Sequence, residues 1–497
     1  MSNAAGNLWL KEHFNLKQYN LSHQSYLGNY DKIEVSASGQ VVRFFGPKYA
    51  PKKNTAIEHL EFALKYDDIN LGLLKDVFIN LPKKDLIPYI MSSPSGKYGR
   101  KIGYLYELLT HEQLLIKNEI TGNYIDLLDT QKYITGTVIK NVKWKVNDNL
   151  LGNRDYCPIV RRTKALDELL STDIKKQIQK LEKKYTPQVF RRAISFLYTK
   201  ETRSSFEIER ETPSPDRMER FISLLQKAGR EDSLEMLSEK SLTAYQNIIV
   251  DSRFAIKGFR DFQNYIGENL PNFLERIHYI CPPPEIVNSL MLGLQDCVNK
   301  TNSTSPLVRA SLVSFGFVFI HPFEDGNGRL HRFLIHDMLV RDGLVPNGLI
   351  VPVSAHMLNN MKDYDKTLEN YSKPILHHIL YKKNESGEIS ITNEDEVVAY
   401  YRYPDLTEQC IYLAQTVNDC IIEDMPNELD FVKMYDELKA EIKNVVDMPD
   451  KMVNQLIMFL HQNKGLLPKR RRKDFSKLLD EEIREIEKLY QEIFELE

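Results

Sequence analysis

Nothing in this 497-residue chain approaches the roughly 18 consecutive apolar residues that span a bilayer. The N-terminus also lacks a basic stretch followed by a hydrophobic core, so neither export nor membrane insertion is predicted. Cysteine is scarce. Cys157, Cys281, Cys297, Cys410 and Cys420 are odd in number, widely spaced and never in a Cys-x-x-Cys pair. That argues against a disulfide framework or a zinc motif and fits a reducing cytoplasm. Charge of either sign is not in excess: 69 acidic and 66 basic side chains leave a net charge of -3, so no global field draws the chain to nucleic acid or an anionic membrane. Two catalytic spacings are missing as well. The "SGK" at Ser95 to Lys97 is followed by Tyr98 and lacks the phosphate-loop spacing, so it reads as a loop. His331, His336, His377 and His378 do not stand four apart around an acid as a zincin helix requires.

What is present suffices for ordinary cores: 42% of residues are apolar, in a length that accommodates two to four domains. Residues 1–190 mix helical segments such as Ile57–Leu64 with short alternating runs such as Val142–Val146, which predict an N-terminal α+β region. From about 190 the helix punctuation becomes regular. Ser214-Pro215 opens a helix that Gly229 closes, Ser305-Pro306 opens another, and Asp342-Gly343 stops a third. Leu307–Ile320 is apolar nearly all round and predicts a central helix buried on every side, a buried strand being the lesser alternative. Beyond 385, "NESGEISITNEDE" reads as a linker or small hairpin. Helices are expected over Leu406–Asp424, Glu428–Val446 and Pro449–Asn463, with Gly465 as a C-cap and a last charged helix from about Phe475 to the end. The expected fold is mainly α, divided into 1–190, a helical core over 191–385, and a C-terminal helical module over 386–497 for which a winged-helix-like form is an alternative.

Directly after the buried segment comes "HPFEDGNGRLHR", residues 321–332. Glycines around an asparagine let a turn aim several backbone N–H groups into one concavity, and the helix that follows adds its positive end. Such a turn is an anion cradle. Arg329 and Arg332, three apart on that helix, can share a face and hold a polyphosphate. Asp325 is a hard carboxylate at the cradle's mouth, suited to Mg²⁺. His321 titrates near neutrality when unperturbed and is the candidate general base for in-line attack on phosphorus.

The pattern His-Pro-Phe-x-Asp-Gly-Asn-Gly-Arg-x-x-Arg, from His321 through Arg332, resembles the signature of Fic-domain proteins at every defined position. "GFRDFQNYIG" (Gly258–Gly267) resembles the family's flap region, a short β-hairpin. "CPPPEIVNSLM" (Cys281–Met291) resembles its proline-rich lead-in to the next helix, and "VSAHMLNNMKDY" (Val353–Tyr364) the segment that closes the nucleotide pocket. The resemblance implies an all-α core that transfers AMP from ATP to a hydroxyl of a target protein and releases pyrophosphate. Carried over residue by residue, His321 deprotonates the Ser, Thr or Tyr acceptor, Phe323 packs the loop into the core, and Asp325 binds Mg²⁺ at the α and β phosphates. Gly326, Asn327 and Gly328 form the anion hole, Arg329 and Arg332 hold the β and γ phosphates, and Asn360 touches the nucleotide. Gly328 stands where the kinase-like branch carries lysine, which favours nucleotide over phosphate transfer.

Upstream, "SSFEIERE" (Ser204–Glu211) resembles the family's inhibitory motif Ser/Thr-x-x-x-Glu-Gly/Asn, with Ser205 and Glu209 as fixed members and Arg210 in place of Gly or Asn. In that reading Glu209 pairs with Arg332 and occupies the place the γ phosphate needs. The implied partners are ATP and a hydroxyl-bearing target protein, with a homo-oligomer left open. Two alternatives accompany this reading. One is a Fic enzyme that removes AMP or transfers another nucleotide. The other is a toxin–antitoxin or regulatory protein that touches DNA or a partner through "KRRRK" (Lys469–Lys473), a lesser reading because basic runs are more often simply solvated.

Overall fold

The structure, a computed structural model, describes residues 3–36, 39–116, 119–271 and 274–494. Its centre is the helix Pro306–Ile320. Ser305 and Pro306 start it, the proline sitting where a helix needs no N–H, and every residue from Leu307 to Ile320 is buried. Even Arg309 is covered, because its guanidinium is spent on the Val298 carbonyl (3.1 Å), Asn302 (2.9 Å) and the Asp342 carboxylate. Three helices wall this one in: Pro284–Lys300, Asn327–Arg341 and Thr407–Asp419. The predicted all-round burial is thus observed, and with it a mainly α fold.

An antiparallel hairpin, Tyr265–Leu270 with Leu274–Ile280, carries a bulge between Ile266 and Gly267 and rests on the helix Met361–Leu376. A hairpin flap was expected at Gly258–Gly267, and the hairpin lies further along the chain, sharing only Tyr265–Gly267 with that segment. The long helix Pro187–Ile208 begins at Thr186, whose hydroxyl accepts from Val189 N–H. It ends in a Schellman turn: Arg210 N–H donates to Glu207 C=O (2.9 Å) and Glu211 N–H to Phe206 C=O (3.0 Å), with Arg210 at φ +58°.

The N-terminal part is α+β as expected. His23–Leu27 pairs in parallel with Val41–Phe45, which pairs antiparallel with Lys32–Val35, and the helix Ala56–Tyr66 contains the predicted Ile57–Leu64. One strand was misplaced: Val142–Lys145 is the turn between Ile139–Asn141 and Val146–Asp148, with Lys145 at φ +50°. Apolar alternation ran across a hairpin turn and imitated a strand. Ser214 caps Pro215–Leu225 as predicted, and Gly229 and Gly343 both have positive φ beyond helix ends.

Packing runs across residues 190 and 385. The main hydrophobic cluster draws on residues from Ile134 to Val432, a second fills the N-terminal part, and a third begins at Leu438. The predicted break between Asp424 and Glu428 is absent. Thr407–Asp419 continues through a π-turn, Cys420–Asp424, straight into Met425–Val445. Residues 384–396 supply the turn and second strand of a small hairpin, Tyr381–Lys383 with Ile389–Ile391, and the start of the helix Glu394–Arg402. The third cluster joins the end of Met425–Val445 to Asp450–Gln462 and Asp480–Ile493, and among the described residues it has no strand, so the wing of a winged helix is missing. The last helix starts five residues later than expected, and residues 495–497 lie outside the described residues. "KRRRK" lies in the 3₁₀ turn Lys469–Phe475. Arg472 donates to the Phe475 and Leu478 carbonyls (2.6 Å each) and to Asp480, while Arg471 covers the Phe459 ring. Two of its five cations therefore hold this module together.

Candidate active site

The central helix stops at His321, which adopts φ +53°, ψ 58°. This left-handed residue, uncommon for a side chain other than glycine, turns the chain sharply into the loop. Its Nδ1–H donates to the Val318 carbonyl (3.2 Å), leaving the Nε2 lone pair free to accept. Burial, reinforced by the nearby Arg260 cation, lowers its pKa to about 4, so the ring is neutral at physiological pH. Phe323 is fully buried against Phe259 and Phe317.

The loop is held from both sides. Asn327 Oδ1 accepts from Phe323 N–H (3.1 Å) and its Nδ2 donates to Phe323 C=O (2.9 Å), so the side chain bolts the loop shut. What Asn327 offers an anion is its backbone N–H, in the first turn of Asn327–Arg341 beside those of Gly328 and Arg329. Gly326 precedes that turn at φ +87°, a conformation glycine adopts without strain. From outside, Arg260 donates to the His321 carbonyl (2.8 Å) and the Pro282 carbonyl (2.7 Å), and Asn264 reaches the Phe323 carbonyl (3.3 Å). Gln246 reaches the Asp325 carbonyl (3.3 Å).

Arg329 and Arg332 are each 1% exposed, which is unusual enough to require partners. Arg332 donates from Nε to the Ser205 hydroxyl (2.8 Å) and from Nη2 to the Ser205 carbonyl (2.7 Å) and the Glu209 carboxylate (2.8 Å). The predicted Ser205–Glu209–Arg332 grouping is therefore a contact of the fold. Arg329 lies over the Phe206 ring, 5.2 Å to its centroid, and joins Asp325 (2.9 Å) to Glu211 (3.1 Å). Glu211, itself paired with Arg217 (2.8 Å), was not singled out in the sequence, although it closes the quoted "SSFEIERE". Arg260, Gln246, Asn264 and the buried Tyr364, whose phenol faces Arg332, also went unassigned. Single polar residues on separate elements carry no pattern along a chain.

Two buried donors near the cradle, Arg332 Nη1 and Arg329 Nε, have no hydrogen-bond partner among the described residues. Arg332 Nη1 also approaches Gly328, where an added Cβ would stand 3.4 Å from it and would collide with the Glu209 carboxylate. Unpaired buried guanidinium N–H groups facing a ring of backbone N–H groups suit an anion. Asp325, 60% exposed with Oδ1 on Arg329, is a single hard carboxylate beside that cradle, the donor Mg²⁺ takes together with phosphate oxygens and water. Asn360 stands apart. It separates the helices Val353–Asn359 and Met361–Leu376, its Nδ2 donates to the His356 carbonyl (3.0 Å), and among the described residues no hydrogen bond joins it to the loop.

The site defines a class: a helical domain whose glycine turn and paired buried arginines face a neutral histidine. Its family follows, since residues 236–339 match the model of the Fic/DOC family, and this segment is a Fic/DOC domain. The chain is 44% identical over 54 residues to a Fido domain-containing protein of Dictyostelium discoideum, a stretch covering 10% of this chain and 38% of that protein's length. Two solved structures are also similar. A Fic family protein from Desulfovibrio desulfuricans G20 has 20% identity and a TM-score of 0.39, over 55% of this chain and 78% of that one. A Fic domain-containing signaling protein from Bacteroides thetaiotaomicron VPI-5482 has 18% identity and a TM-score of 0.36, over 54% and 97%.

Proposed function

We propose that this protein is an autoinhibited adenylyltransferase that moves AMP from ATP to a Ser, Thr or Tyr hydroxyl of a target protein. The observation that supports it best is the pair of buried motif arginines: Arg332 keeps an unpaired N–H beside Gly328, while Glu209 and Glu211, just past the end of the long helix, pair with the two guanidinium groups. In this reading Arg329, Arg332 and the backbone N–H groups of Gly326–Gly328 hold the triphosphate. Mg²⁺, held by Asp325, would neutralise phosphate charge as pyrophosphate departs. The acceptor oxygen bonds to the α phosphorus as the bond to the α–β bridging oxygen breaks. Pyrophosphate keeps that electron pair, and the hydroxyl proton passes to His321 Nε2.

Glu209 is the brake. Its carboxylate takes Arg332 Nη2 and stands against Gly328, the space a γ phosphate needs. A bias of about 3 kcal/mol toward this closed state would suppress transfer roughly a hundredfold. The same position, inside the cradle, favours a second reading in which Glu209 orders a water that removes AMP from a modified target.

ATP labelled at the α phosphate, incubated with lysate, tests the assignment. Label is expected on protein with the unmodified chain, several-fold or more with Glu209→Gly, and none with His321→Ala. Label from γ-labelled ATP instead would overturn nucleotide transfer, equal activity of Glu209→Gly would remove the brake, and release of AMP from a pre-labelled target would favour the second reading.

A further inference from the structure

Away from the motif loop, the π-turn Cys420–Asp424 brings unlike donors together. His356 Nδ1, Cys420 Sγ and an Asp424 carboxylate oxygen lie within 4.8 Å of one another. Nδ1 is 2.8 Å from Asp424 Oδ2, and the other ring nitrogen, Nε2, is 4.0 Å from Asp419 Oδ2. π-turns interrupt α-helices mostly at functional sites, and here the turn sets Cys420 and Asp424 on the side that faces His356. Cys420 is fully buried, whereas His356 and Asp424 are partly exposed at the wall of a cleft of ≈ 580 Å³. That cleft is lined by five carboxylates, Asp363, Glu408, Asp419, Glu423 and Asp424, with Lys366 as its one lysine.

We propose that His356, Cys420 and Asp424 form a Zn²⁺ site whose fourth position opens on this acidic cleft. The donor set chooses the metal. A carboxylate-only cluster would suit Mg²⁺ or Ca²⁺, but a sulfur and an imidazole beside one carboxylate suit Zn²⁺, which takes four such ligands or three and a water. A ligating histidine ordinarily donates its second ring N–H to a carboxylate, and the Asp419 carboxylate lies on that side of the ring, 4.0 Å from Nε2 and beyond direct hydrogen-bond reach. Asp424 is the hub of the cluster: both His356 Nδ1 and the Cys420 thiol hydrogen-bond to its carboxylate, the place a metal would take once the thiol loses its proton. Along the chain the three are 64 and 4 residues apart, which no zinc signature matches, so the site is invisible to spacing.

The ion would tie the short helix Val353–Asn359 to the junction of the continuous C-terminal rod. Ser354 on that helix donates its N–H (2.8 Å) and its hydroxyl to Glu201 of the long helix, so the site lies one layer behind the element that carries Glu209. This inference does not depend on the reaction assigned to the motif loop.

Cobalt is the probe. The full chain is stripped with a chelator and titrated with Co²⁺. A stoichiometric rise of tetrahedral visible bands with a near-ultraviolet thiolate-to-cobalt band is expected, and Zn²⁺ should displace both. Cys420→Ser should abolish the thiolate band and Cys297→Ser should keep it. Zn²⁺ should raise the Tm of the unmodified chain and leave that of His356→Ala unchanged. A titration of the unmodified protein without a thiolate band overturns the site whether or not the Cys420 variant folds, and a band that survives Cys420→Ser overturns the ligand assignment.

Discussion

Arg210 holds a long side chain at φ +58°, in the turn that positions Glu209 and Glu211 for the two motif arginines. The family pattern places Gly or Asn at this position, and the backbone shows why: a left-handed residue closes the Schellman turn. Any other side chain there costs roughly 1–2 kcal/mol. Arg210→Gly is therefore expected to stabilise the protein by about 1 kcal/mol, read as a higher denaturation midpoint, with no gain in transfer. His321 yields a pH prediction. Since its pKa is lowered to about 4, the base is already deprotonated above that pH, and the acidic limb of kcat/KM should fall near pH 4 and not near 6.5. The sign for stability follows: between pH 6.5 and 4 the unfolded chain binds a proton that the fold excludes. The contribution of His321 to stability is full above 6.5 and shrinks as pH drops toward 4. A limb near pH 6.5, in the Glu209→Gly variant where activity is measurable, would contradict the assignment.

At the scale of elements, the loop owes its shape to Asn327. Removing its amide leaves the buried N–H of Phe323 unpaired and its C=O with only the longer Asn264 bond, so Asn327→Ala should cost about 1–3 kcal/mol and lower transfer more than it lowers ATP affinity. Equal loss of both would indicate general unfolding, which circular dichroism detects. What was legible here followed period and punctuation. The unbroken apolar run of Leu307–Ile320 could only be buried, and Ser214 and Gly343 act as caps and stops. What misled was local ambiguity. A break was expected between Asp424 and Glu428, yet a π-turn, whose shifted hydrogen bonds tolerate Pro426 without its N–H, carries the chain through, so two predicted helices are one rod. Val142–Val146 looked like a strand because Val142 and Trp144, in the turn, alternate with Val146 at the start of the next strand. The motif residues were found because they are contiguous, whereas Arg260, Gln246, Asn264 and Glu211 reach the site from elements far along the chain.

At the scale of the molecule, the long helix is pinned on its far side by the C-terminal rod. Lys200 pairs with Glu428 and Arg192 with Asp436, while the Tyr185 hydroxyl and Lys184 meet Asp430 at 2.8 and 3.0 Å. Exposed pairs contribute little singly, but two on the long helix, together with Lys184 and Tyr185 anchored just before it, resist the tilt that would withdraw Glu209. Glu428→Lys, Asp430→Lys and Asp436→Lys together should speed hydrogen exchange along Pro187–Ile208 and raise transfer, by less than Glu209→Gly does. Unchanged exchange would show that the seam plays no part.

One of the three hydrogen bonds that hold Arg332 comes from main chain. The Ser205 peptide oxygen takes Nη2 whatever side chain follows, so an opened brake leaves that guanidinium still aimed by its helix. On the proposed mechanism, release would demand no rebuilding: the off state would be a loaded position, and the first nucleotide to arrive would meet a cationic fork that never had to be assembled.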